Sequence, residues 1–152
     1  MNRTDVAAFE RLTQALVGIT VQSLDALDSA VTVSQFRLLR TLEGLGRVSS
    51  TTLATALGIA ASSVTRMVDK LEGPGYVTRG TDPHSRSIVT VEVTAAGREV
   101  VAAVLERRHR LIEAVLDGMT PADREHATGI AERFTSLAGD ALAVGAKAPV
   151  AL

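Results

Sequence analysis

Two short segments, residues 50–57 and 61–72, each carry one apolar face and are joined only by Gly58, Ile59 and Ala60. That arrangement constrains the fold more than any other feature of the chain. In the second segment Val64, Met67, Val68 and Leu71 recur at i, i+3, i+4 and i+7, one helical stripe that must be buried. At about 100° per residue, Ser62, Arg66 and Asp69 lie nearly opposite that stripe, with Thr65 and Lys70 beside them. Leu53 and Leu57 make the inner face of the first segment, and Ser49 stands where its N-cap belongs. Two such helices with a three-residue link read as a helix-turn-helix. One side of the second helix is held by the chain, and the other presents hydroxyls and cations outward.

The flanking segments extend the pattern. Upstream, Phe9, Leu12, Leu16, Ile19 and Leu27 predict a helix over residues 5–27, and Val17, Val21 and Leu24 widen its stripe toward more than one neighbour. Thr32 and Gln35 form a capping box for a helix over 33–45, with Phe36, Leu39 and Leu42 inward and Gly44 and Gly46 at its end. Downstream, Gly73-Pro74-Gly75 breaks the helix. Residues 76–79 and 88–93 then read as two strands around a polar turn, residues 80–87, with Val89, Val91 and Val93 on one face. Thr94 caps a long helix, 95–116, whose Val100, Val101, Val104, Leu105, Leu111, Ile112 and Val115 cover two adjacent faces. Thr120, Pro121 and Asp123 start a sixth helix with Ala127, Ile130, Phe134, Leu137 and Ala141 as its stripe. The expected fold class is mainly α with a small β-hairpin wing (α+β).

Composition removes several functions. With 152 residues the chain can bury a full core without staples, and with no cysteine it has no disulfides, no thiolate-held zinc and no thiol redox chemistry. Aromatics are 3%, too few to build a stacking platform for single strands. His84, His109 and His126 share no ligand spacing, so no metal and no cofactor are expected. No nucleophile elbow, phosphate loop or dinucleotide fingerprint occurs, so nothing marks an enzyme. No segment is apolar enough for a membrane span and residues 1–10 do not read as a secretory signal, so a cytoplasmic location is expected. The net charge of −1 hides an asymmetry: residues 36–98 hold eight basic and five acidic groups, leaving an acidic remainder. A basic middle is where a polyanion binds.

At these residues the chain resembles the MarR family of winged helix-turn-helix regulators. The similarity runs from Thr32 to Arg98: Thr32-x-x-Gln35-Phe36, Leu53-Ala54-x-x-Leu57-Gly58-Ile59, Ser62-Ser63-Val64-Thr65-Arg66-x-Val68-Asp69-x-Leu71-Glu72, Gly75-Tyr76-Val77-x-Arg79, Asp82-Pro83 and Val93-Thr94-x-x-Gly97-Arg98. It implies a homodimer joined by N- and C-terminal helices, with residues 1–30 and 95–143 as dimerisation region, 31–94 as winged helix-turn-helix DNA-binding domain and 144–152 as a flexible tail. It further implies a transcriptional regulator, commonly a repressor, on a pseudo-palindromic operator in double-stranded DNA. A small aromatic or phenolic effector often releases such proteins. Two departures stand out. Ala60-Ala61 replaces the Ser-Pro that often opens the family's recognition helix, and Ser85-Arg86-Ser87 stands where its wing usually carries Asp-x-Arg. Either Arg86 substitutes from a shifted position or the wing contacts differ.

The candidate DNA contacts follow. Ser62, Ser63, Thr65, Arg66 and Lys70 belong at the major groove, with Arg66 the base-reading candidate. Ser49 and Thr51 are expected at phosphate, and Arg79, His84 and Arg86 on the wing. Asp69 would repel phosphates and is expected to pair with Arg66 or a neighbour, Asp82 to shape the wing turn, and Arg98 to serve structure. Arg107, Arg108, His109 and Arg110 spread around their helix, either in salt bridges to Glu106, Glu113 or another subunit, or with one lining an effector cavity. The competing function is a winged-helix protein–protein interaction module without DNA binding.

Overall fold

The computed structural model describes residues 3–25 and 31–143, with side chains to residue 139. Leu27, Ala141 and the expected tail lie outside the described side chains. The elements in chain order are α1 (Arg3–Asp25), α2 (Val33–Leu45), β1 (Val48–Ser49), α3 (Ser50–Leu57), α4 (Ala61–Glu72), β2 (Val77–Thr81), β3 (Val89–Val93), α5 (Ala95–Asp117) and α6 (Pro121–Ala143). Among the described residues, six helices and a small antiparallel sheet make the expected α+β architecture, with one strand more than expected. The sheet order is β1-β3-β2, so β3 is central. Val91 pairs with both Val48 and Arg79.

Local chemistry sets the boundaries. Thr32 accepts from the Gln35 amide while the Gln35 side chain accepts from the Thr32 amide at 2.8 Å, closing the capping box. Ser49 accepts from the Thr52 amide at 3.1 Å and starts α3. Gly58 ends α3 at φ 66, a left-handed position that favours glycine. Thr94 accepts from the Gly97 amide and donates to the Gly75 carbonyl at 2.6 Å, which joins the start of α5 to the loop after α4. Gly97 makes that junction possible, because a Cβ there would lie 2.1 Å from the Tyr76 carbonyl oxygen.

The core fills the space between α2, α3, α4, the sheet and the first half of α5. Leu38, Leu39, Leu42, Leu53, Val64, Val91, Val101 and Val104 have no exposed surface. The stripe predicted for α4 is inward: Val64, Val68 and Leu71 are buried and Met67 is half-buried. In β3, Val91 and Val93 are buried, but Val89 is exposed because it pairs with Thr81 at the far end of the hairpin. α1 packs mainly on α5 and contributes only Ser23 and Leu24 to the buried set. None of the described side chains of α6 is buried.

Candidate nucleic-acid interface

The helix-turn-helix puts α4 at the surface with its apolar stripe on the core. Ser62, Thr65, Arg66 and Lys70 are exposed, so four of the five expected α4 contact residues face solvent, while Ser63 is half-buried beside Leu57, Ile59 and Met67. Thr65 donates to the Ala61 carbonyl at 3.1 Å, which leaves its oxygen lone pairs outward. Arg66 reaches back to the Ser63 hydroxyl at 3.5 Å, a long contact that leaves its guanidinium free to move. The Lys70 side chain makes no hydrogen bond or ion pair among the described residues. Ala60 takes the N-cap position with no side-chain cap, so the first amides of α4 lack the acceptor that a serine supplies. The Ala60 carbonyl accepts from the Ser63 amide at 2.9 Å and the Val64 amide at 3.2 Å, so the Ala61 and Ser62 amides are the open donors, and open donors at a helix start suit an anion.

Ser49 and Thr51 stand at the start of α3. The Ser49 hydroxyl is already committed to capping and to a 2.9 Å contact with Thr52, while Thr51 is exposed. At the hairpin tip Asp82 accepts from the amides of His84 at 2.7 Å and Ser85 at 3.1 Å, and Ile88 donates to the Ser85 carbonyl at 3.0 Å. This Asx-type turn, shaped as expected of Asp82, makes the loop compact and points His84 and Arg86 into solvent. Arg86 has no partner among the described residues.

Arg79 is placed differently from His84 and Arg86. It lies at mid-strand in β2, and its guanidinium donates to both Asp69 and Glu72 at the end of α4. The Asp69 hydrogen bond is the chief reason its proton is held still more firmly than usual. Asp69 thus pairs with a neighbouring strand and not with Arg66. Arg98 donates to the Val93 carbonyl at 3.0 Å, the structural use expected of it.

Three further arginines hold the unit together in ways that the sequence pattern does not announce. Arg37 donates to the Leu57 carbonyl at 3.0 Å and so satisfies the end of α3. Arg47 forks onto Glu92 at 2.7 and 2.9 Å, tying the edge of the sheet to its centre. Arg108 points inward from α5 with its guanidinium carbon 5.3 Å from the Phe36 ring centroid. Its Nε and Nη2 are buried without a hydrogen-bond partner. Burial, followed by the nearby Arg40 charge, pushes its pKa down. The rest of that basic run behaves as surface: His109 faces Glu113 at 3.4 Å and Arg110 faces Glu106 at 3.9 Å. Among the described residues no group of three or more histidine or acidic side chains is placed to hold a metal, and no helix is long and apolar enough to cross a membrane.

Comparison with known proteins places this geometry. The MarR family model matches residues 31–89. The solved structure of RV1404 from Mycobacterium tuberculosis is 33% identical, covers 90% of this chain and 94% of its own, and superposes with a TM-score of 0.80. The multiple antibiotic resistance protein MarR of Escherichia coli is 29% identical over 82 residues, 54% of each chain. MepR of Staphylococcus aureus, as an F27L mutant bound to an oligodeoxyribonucleotide, shares the fold at a TM-score of 0.72 and 18% identity, over 90% of this chain and 99% of its own. The matches span 54–70% of the length of the curated relatives. From the capped helix pair and its hairpin to the near full-length relative, these observations agree: the chain belongs to the MarR family of winged-helix regulators.

Proposed function

We propose that this chain is a transcriptional regulator that binds double-stranded DNA as a homodimer, with α4 in the major groove of each half-site. The observation that carries the reading is the division of α4 into a buried apolar stripe and an exposed face of Ser62, Thr65, Arg66 and Lys70. Arg66 is the base-reading residue, because an arginine fork matches the acceptor pair of guanine in the major groove. Ser62, Ser63, Thr65 and Lys70 line the major groove beside it, Ser49 and Thr51 approach phosphate at the start of α3, and His84 and Arg86 supply the wing contacts. MepR shares this fold and binds an oligodeoxyribonucleotide in its solved structure, which supports a DNA target by likeness of fold. A DNA target also fits a cytoplasmic location.

The dimer is supported by what the terminal helices leave uncovered. Phe9, Leu12, Leu16 and Val21 of α1 and Ile130, Phe134 and Leu137 of α6 are exposed, and Phe9 stacks on Phe134 at 4.8 Å between ring centroids. Apolar side chains exposed together on two helices support an interface there. We assign residues 1–30 and 95–143 to dimerisation and 31–94 to DNA binding. Two-fold symmetry then sets two α4 helices about 34 Å apart, one turn of DNA, on a pseudo-palindrome. The small-molecule half of the reading is supported by Arg108: a half-buried side chain whose buried Nε and Nη2 have no partner, beside the Phe36 ring, fits a small aromatic or phenolic effector whose binding between α2 and α5 would relieve a repressor.

Selection of bound sequences from random duplex DNA tests the reading. The selected site should be a pseudo-palindrome whose binding weakens steeply as salt rises from about 50 to 200 mM. Arg66→Ala should lose about 1–3 kcal/mol and relax preference at one base pair of each half-site. Salt-insensitive binding with no enriched sequence would return the chain to the competing role, a protein–protein module.

A further inference from the structure

We propose that Arg79 is a positioning residue of the DNA-binding face, which acts by masking Asp69 and Glu72 from the phosphates and by fastening β2 to the end of α4. This inference rests on the DNA reading above. Asp69 belongs to the polar side of α4, one helical position before Lys70, and its side chain is 56% exposed. Glu72 follows three residues later on the last turn, with its side chain 40% exposed. Two free carboxylates there would face the same duplex that Arg66 and Lys70 approach, and like charges across an interface are costly. Arg79 gives one guanidinium nitrogen to each, Nη2 to Asp69 and Nη1 to Glu72. With only 31% of its side chain exposed, it is the least exposed member of the trio. Its place is fixed by the ladder, because Arg79 pairs with the buried Val91 at the centre of the sheet.

The same geometry separates this role from a structural one. Exposed ion pairs contribute little to stability, so the fold tolerates their loss. A planar fork can hold two carboxylates at once, whereas an ammonium is a single point charge. The arrangement therefore matters most when a polyanion arrives. It also distinguishes Arg79 from His84 and Arg86, which lie at the hairpin tip with free side chains.

The test is a cycle on the full chain, with duplex affinity measured by fluorescence anisotropy at several salt concentrations on the site selected by wild type. Arg79→Met should weaken binding on the order of tenfold. Asp69→Asn with Glu72→Gln should change affinity little while Arg79 is present. The same pair added to Arg79→Met should restore most of the loss, with the salt slope back near the wild-type value. Arg79→Lys should fall between. Thermal midpoints identify any variant that has lost its fold, and the Asp69→Asn, Glu72→Gln chain keeps the question answerable in that case: a large gain in affinity with Arg79 intact overturns masking. If the triple variant stays as weak as Arg79→Met and its salt slope falls by about 0.9, Arg79 touches phosphate itself and the proposal is overturned. If wild type shows no salt-dependent duplex binding, the DNA reading fails, and the proposal with it.

Discussion

The segment from α2 to the first half of α5 buries most of its apolar side chains, whereas α1, apart from Leu24, and the described part of α6 leave most of theirs exposed. Leu39, Leu42 and Leu53 have 0% exposure, against 48% for Leu16, 50% for Phe134 and 60% for Leu137. Both regions show clear helical periodicity, so periodicity alone says that a face will be covered, not by what. In the winged unit four helices and three strands supply the cover within one chain. In α6 no described side chain is buried, and a helix in that condition is marginal in water without further packing. One region carries its fold internally, and the other leaves an apolar face that the proposed dimer would cover.

Substitutions can break that contrast. The largest effect is expected in the internal core: Leu39→Ala should cost about 2–5 kcal/mol in chemical denaturation while sedimentation still shows the wild-type oligomer. Leu137→Ala should act the other way, removing about 1.5–3 kcal/mol of burial that exists only in the dimer. Sedimentation should then reveal a raised monomer fraction, with the circular dichroism of the remaining fold preserved. If Leu137→Ala leaves association unchanged, the α6 face is not the interface. The smallest effect sharpens the internal side of the contrast. Ala60→Ser should stabilise by about 0.5–1 kcal/mol by supplying the missing cap of α4, measured as a raised thermal midpoint. It should not alter the oligomer.

Much of this was legible from residues alone, and what escaped had physical causes. The capping signals at Thr32, Ser49 and Thr94 are local, since acceptor and amide lie three residues apart, and each forms as the spacing requires. The stripe of α4 is equally local, and so is its polar face. By contrast β1 is two residues long, too short for alternation to register, and it exists because Val48 lies beside Val91, 43 positions downstream. The placement of Arg79 escaped for a similar reason. Asp69 has Arg66 within one helical turn, but Arg66 turns to Ser63 and the partner comes from the next strand. Arg108 was one of four adjacent basic residues, and only the packing of α5 on α2 decides that it meets Phe36 while His109 and Arg110 stay outside. Long-range pairings of charged side chains leave no periodic trace in a chain.

In the proposed function, two outward α4 faces, held by one dimer, read one duplex together. The most direct measurement compares affinity for the selected pseudo-palindrome with affinity for the same site after about 5 bp, half a helical turn, is inserted at its centre. The two-fold arrangement predicts a large loss on insertion and recovery of part of the affinity when the insertion is extended to a full turn. Equal binding to all three duplexes would contradict it.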